Sequence, residues 1–179
     1  MILDINIEAD AEWDSSIAWG PLAERAAHAA VAESAFPQLV TTSRAVEIAL
    51  RLSSDDEVRA LNARWRGKDK PTNVLSFPMA EPDELADPGE AGGPELMLGD
   101  IVLAHTVCAT EAAEKAIPIE THATHLMVHG TLHLLGYDHL DDTAAEDMEA
   151  RETRALARLG IADPYERISD EPLYYENGR

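Results

Sequence analysis

His129, His133 and His139 stand at positions i, i+4 and i+10 of the chain, and Gly136 follows the second of them by three residues, in HGTLHLLGYDH. Residues four apart lie one above the other on a helix, so His129 and His133 can each turn a ring nitrogen toward one ion. Gly136 suits the left-handed residue that ends a helix, and that reversal is what lets His139 reach the same point. Three neutral imidazoles leave a fourth tetrahedral position open, the catalytic rather than the structural form of a zinc site. One zinc ion per chain is expected, although nickel, copper and iron also accept imidazole.

The same spacing marks the extended zinc-protease motif, in which a Glu follows the first His, acts as general base and carries a proton to the departing amine. Here that residue is Gly130. Zinc lowers the pKa of a bound water to about 7, so hydroxide is available without a strong protein base. Proton delivery to an amine is not, and ordinary peptide hydrolysis is therefore not expected.

A second group of residues suits anion chemistry. The chain carries 34 Asp and Glu against 14 Lys and Arg, a net charge of −20, and its average field repels phosphate. Arg64, Arg66, Lys68 and Lys70 are nevertheless gathered in the window RWRGKDK. Such an island favours one positioned phosphate contact over loose sliding, while charge alone reads as a basic turn among acidic neighbours. Arg66 can offer a fork of donors to a phosphate, with Lys68 and Lys70 holding flanking phosphates. His125, one turn before His129, and Asp138, beside His139, are candidates to orient a ligand or move a proton, though Asp138 equally suits a turn cap. His122, Ser76 and Thr72 read as structural, the His105–Cys108 pair as packing, and Trp65, which could stack on a base, as core; His28 carries no signal.

Positioning these groups requires a fold with a real core. At 179 residues, 19.5 kDa and 45% hydrophobic, the chain suits one domain over 1–179. Its single cysteine allows no intrachain disulfide and fits a reduced, cytoplasmic setting; neither a signal-like N-terminus nor a membrane-length apolar run is visible. Strands are expected at ILDINIEA, at AVEIALRLSS (45–54), at VLSF (74–77) and at LGDIVLAH (98–105). Helices are expected over about 20–34, from a Ser54–Glu57 capping box to about Arg64, up to about Lys115, from Glu120 to Leu135, and from Thr143 to Leu159. The histidine helix places His122, His125, His129 and His133 on one narrow face and is apolar nearly all round the rest, so it belongs at the centre. Residues 79–97, acidic and rich in Pro and Gly, read as an exposed loop, and 162–179 as a weakly patterned tail.

HLMVHGTLHLLGYDH together with RGKDKPTNVLSFP and LGDI resembles the bacterial rRNA-maturation endoribonucleases, the YbeY family, over roughly residues 45–160. The resemblance implies a zincin-like α+β fold, a small mixed sheet of about four strands packed with five or six helices around a central histidine helix. It implies one zinc ion on His129, His133 and His139, and an important arginine at Arg66. It further implies cleavage of single-stranded RNA in 3′-end maturation of 16S rRNA and in ribosome quality control. The expected partners are rRNA precursors, the ribosome or its proteins, and assembly factors, with no membrane. A cleft-bound metal reaches a splayed strand more readily than the backbone of a stiff A-form duplex. Attack on phosphorus by zinc-activated water would leave a 5′-phosphate, and attack by the ribose 2′-hydroxyl a cyclic phosphate, with Arg66 stabilising the transition state; the residues leave both open. Two other readings compete: a zinc peptidase or amidase with a carboxylate brought from elsewhere, and a non-catalytic ribosome-associated factor whose metal is closed off by Cys108 or His125.

Overall fold

The structure, a computed structural model, describes residues 2–89 and 93–166. Its sheet is built from β1 (Ile2–Ala9), β2 (Ala45–Ser53), β3 (Val74–Pro78) and β4 (Leu96–Ala104), in the order β1-β2-β4-β3. The first three in that order run parallel, and β3 is the antiparallel edge. The helices are α1 (Trp19–Ala32), α2 (Asp55–Arg66), the short α3 (Pro82–Ala86), α4 (His105–Glu114), α5 (Ile119–Leu134) and α6 (Asp142–Arg158). The α+β class, the four-stranded mixed sheet and the six helices match the expectation. No helix among the described residues is long and apolar enough to cross a membrane.

Alternation along the strands divides the core. On β2, Val46, Ile48, Leu50 and Leu52 face the main cluster; on β4, Ile101 and Leu103 do so. Val102 and Ala104, one residue out of phase, join Val58 and Leu75 in a smaller cluster that α2 covers on the opposite face. Helix α5 packs against α1, α4, α6, β3 and β4, which explains why it is apolar nearly all round. Gly99 is demanded by the meeting of β3 with β4: its φ is +141°, and a Cβ there would lie 2.2 Å from the Phe77 carbonyl oxygen and 2.9 Å from Leu134.

Two expectations need correction. The 79–97 stretch is not simply an exposed loop, because β4 begins at Leu96 and α3 buries Leu85, whose carbonyl accepts a hydrogen bond from Gln38 at 3.2 Å. Residues 90–92 of it lie outside the described residues, as do 167–179 of the tail. Trp65 is not core: it is 62% exposed. The buried stripe of α2 runs through Val58 and Asn62, and Trp65 lies beside that stripe on the outer face of the sheet.

Candidate metal centre

Helix α5 stops through a Schellman turn. The Gly136 N–H donates to the His133 carbonyl at 3.0 Å and the Tyr137 N–H to the Leu132 carbonyl at 3.1 Å, with Gly136 at φ +94°. The reversal brings His139 back, its ring centroid 5.3 Å from that of His133 and 6.0 Å from that of His129. One ligand atom from each of the three lies within 4.8 Å of the others, and this is the one such group among the described residues. The cluster can hold a metal ion.

The second nitrogen of each helical ring decides how well. His133 Nδ1 donates to the Tyr137 carbonyl at 2.8 Å, since a carbonyl only accepts. His129 Nδ1 donates to Glu152, a carboxylate fully buried on α6. Burial pushes the Glu152 carboxyl up, but the hydrogen bonds of His125 and His129 outweigh it and hold the group well below the usual carboxylate range. Neutral rings in this arrangement each keep a lone pair on Nε2, and the two Nε2 atoms lie 3.0 Å apart. Two lone pairs so placed repel unless a proton or a metal ion lies between them. Ligand nitrogens on one tetrahedral zinc stand about 3.3 Å apart, given Zn–N bonds of about 2.0 Å, so the donor set fits a metal. Burial, with His129 and His139 nearby, lowers His133 to about 4, which keeps that ring neutral.

Glu152 is itself enclosed. His125 Nε2 lies 3.0 Å from its second oxygen, and the Tyr165 hydroxyl donates to the same atom. Burial pulls His125 below its ordinary value despite that contact. Among the sequence-derived candidates, His125 thus bonds Glu152 and is not one of the three histidines that converge. His122 bonds Glu111 at 3.0 Å, away from the cleft. Cys108 is fully buried, and burial together with Glu111 pushes its thiol up to about 12, unsuited to metal binding.

Gly130 explains the missing protease base. A Cβ at this position would meet the Ile101 side chain at 3.0 to 3.4 Å. The residue after the first histidine therefore packs on β4, and a Glu there would press into the sheet.

The facing wall comes from α2 and β3. Ser54 caps α2 through the Glu57 N–H at 3.2 Å, and Gly67, at φ +68°, closes its other end. Asn62 donates to the Lys70 carbonyl at 2.9 Å, and Asn73 bonds the Glu111 carboxylate at 3.0 Å, so the RGKDKPTN turn is anchored at both ends. Arg66, exposed, donates to the Ser76 carbonyl at 3.0 Å, with its guanidinium carbon 5.9 Å from the Phe77 ring centroid. It shares a cleft of about 650 Å³ with His129, His133 and His139. Lys68, Thr72, Ser76 and Asp138 also line this cleft, whereas Lys70 does not. Asp138 accepts from the Leu140 N–H at 3.2 Å, the turn-capping alternative.

Glu152, Tyr165, Tyr137, Asn62 and Asn73 do not stand out from sequence. For Glu152 a signal exists: it occupies the buried stripe Met148–Glu152–Ala155–Leu156 of α6, where a charged residue needs a partner.

Residues 10–160 match the family model described as Endoribonuclease YbeY. Over 169 residues, 94% of this chain and all of the relative, the chain is 47% identical to the endoribonuclease YbeY of Rhizorhabdus wittichii. It is 51% identical to that of Novosphingobium aromaticivorans over 90% of this chain and 95% of the other. Among solved structures, the solution structure of TM1509 from Thermotoga maritima matches with a TM-score of 0.50 and 25% identity, over 92% of this chain and all of that one.

Proposed function

We propose, from the premise that the chain belongs to the endoribonuclease YbeY family, that it is a metal-dependent endoribonuclease that cuts single-stranded RNA. His129, His133 and His139 hold one zinc ion in this reading, and Arg66 faces it across the cleft. The observation that carries the reading is the convergence of His129, His133 and His139, one ligand atom of each within 4.8 Å of the others, with a forked cation in the same cleft.

A zinc ion held there supplies a Lewis acid that makes a water or ribose hydroxyl nucleophilic near neutral pH and neutralises phosphate charge. The chain's own residues do the rest. Glu152 and the Tyr137 carbonyl fix the tautomers of His129 and His133, so no reorganisation is needed when charge develops. Arg66 keeps donors free beyond its one bond to Ser76 and can follow a phosphate toward the pentacoordinate geometry. Lys68 holds a flanking phosphate, and Lys70, outside the cleft, acts on RNA further along. Asp138 lines the cleft, and in this reading it exchanges a proton with the leaving oxygen.

The acidic body selects against loose RNA binding, which favours delivery to the substrate by a partner. In this reading the protein works in the cytoplasm on the 3′ end of 16S rRNA precursors and in ribosome quality control, brought there by ribosomal proteins or assembly factors.

The test is cleavage of a short single-stranded RNA by metal-quantified protein, beside His133→Ala and a metal-free sample restored with zinc. Cleavage by the wild type that is absent in the variant and regained with zinc supports the reading. Equal cleavage by wild type and variant, both with measured metal, would sink it.

A further inference from the structure

Beyond the cleft, the outer face of the sheet carries a second concavity of about 560 Å³, lined by Trp65, Phe77, Leu61, Ala49, Arg51 and Asp100 among others. Edge strand β3 separates the two. Ser76 lines the metal cleft and Phe77, one residue on, lines the outer groove, as alternation along a strand requires. Arg66 bridges the edge, bonding the Ser76 carbonyl while its guanidinium stands over Phe77. An RNA strand whose phosphate sits against Arg66 therefore has a path over β3 into this groove.

The groove is unsuited to phosphate and suited to a base. Arg51, its one lining cation, is paired with Glu57 at 3.0 Å and Glu8 at 3.8 Å. The Asp100 carboxylate, on the residue opposite Phe77 in the register, makes no hydrogen bond or ion pair among the described residues. Trp65, at 62% exposure, presents an indole that no core contact explains, with the Arg64 guanidinium carbon 5.0 Å from its centroid. An exposed aromatic beside a free carboxylate can stack a base and accept hydrogen bonds from its edge.

Resting on the endoribonuclease reading, we infer that this groove is a nucleobase subsite, in which Trp65 stacks the base next to the scissile phosphate and Asp100 reads its Watson–Crick edge. Guanine fits best, because its N1–H and N2–H₂ offer two adjacent donors to one carboxylate. Uracil fits worst, because its single N3–H is flanked by two carbonyls that the acidic groove repels.

Mononucleotide binding tests this without cleavage. Trp13 and Trp19 are buried at 3% and 6% exposure, so nucleotide-induced quenching of tryptophan fluorescence reports Trp65. Saturable quenching by GMP, weaker with UMP and reduced to the UMP level by Asp100→Asn, is expected. In cleavage of short single-stranded RNA, Trp65→Ala should raise KM about tenfold, the effect of losing one stacked base. Unsaturable quenching equal for GMP and UMP overturns the subsite, as does an unchanged KM in Trp65→Ala. If GMP binds saturably but the wild type does not cut RNA, the endoribonuclease reading falls and the subsite stands. If the wild type cuts RNA but binds no nucleotide, the subsite falls and the endoribonuclease reading stands.

Discussion

His129 and His133 each use both ring nitrogens, one inward toward the metal position and one outward to Glu152 or the Tyr137 carbonyl, whereas Arg66 on the facing wall makes one side-chain hydrogen bond and Lys68 none among the described residues. The helical wall is enclosed behind the ligands: Glu152 is fully buried and also takes His125 and Tyr165. The wall of α2 and β3 exposes Arg66 and Lys68 and is anchored by Asn62 on the Lys70 carbonyl and by Asn73 on the Glu111 carboxylate. On the proposed function, the difference follows from what each would hold. An ion is a point whose ligands lose affinity if they tilt, so their orientation is fixed before binding. A phosphate in a flexible strand changes geometry during reaction, and donors on a rigid backbone with a free fork can follow it.

Apart from the three histidines themselves, the largest effect should come from the exposed wall. Arg66→Ala is expected to lower cleavage about 10²- to 10³-fold while leaving bound metal unchanged, measured as single-turnover rate beside metal content. Arg66→Lys should recover only part of the rate, lacking the fork. Metal loss in parallel with rate would place Arg66 in the architecture of the site and erase the contrast between the walls.

Glu152→Gln should act on the other side of the comparison. Metal affinity is expected to fall about 10- to 100-fold, read by competition with a chromophoric chelator in the absence of RNA. The amide keeps one acceptor oxygen where the carboxylate had two and loses the negative charge, so it cannot accept from His129 and Tyr165 together and holds the His129 ring less firmly. Wild-type affinity in this variant would mean that the helix alone orients the ring.

A smaller effect tests the support behind the helical wall. Glu33, at the end of α1, accepts Arg158 at 2.6 Å and Arg154 at 3.0 Å, while its carbonyl accepts Arg151 at 2.7 Å, tying α1 to α6. The Arg158 hydrogen bond first, against burial, and then Arg154 hold the Glu33 carboxyl below its ordinary value of 4.5. The unfolded chain therefore takes up this proton first as pH falls. The stabilisation is complete above that ordinary value and is lost as pH drops toward the folded one. Glu33→Gln should lower Tm at neutral pH by the equivalent of about 1 kcal/mol or less, and flatten the decline of Tm at acid pH. Parallel curves for the two proteins would show that the pairs contribute nothing.

Much of the fold is legible in the chain because its strands alternate and its helices carry local stop signals. AVEIALRLS reads as a half-buried strand and is one, with Glu47 and Arg51 outward and Ile48 and Leu50 inward. Ser54 announces α2, and Gly136 announces the end of α5. Leu85 is hidden by its acidic, proline-rich context, since burial of one leucine under a five-residue helix leaves no periodicity. Trp65 reads as core yet is exposed, because a helix of twelve residues at a sheet margin buries only one of its rows.

The sequence by itself determined the three imidazoles and the turn that gathers them, because i, i+4 spacing and a left-handed glycine are local geometry that any surrounding fold preserves. Tertiary structure alone decided the rest. Glu152 lies 23 residues from the ring it fixes, and Arg66 reaches the ligands' cleft only because β3 joins the sheet antiparallel to β4. Gly130 reads as a missing base until Ile101, 29 residues away on β4, shows that a side chain at the position would be tight against the sheet. Contacts between segments so far apart depend on how whole elements pack, which no local pattern encodes.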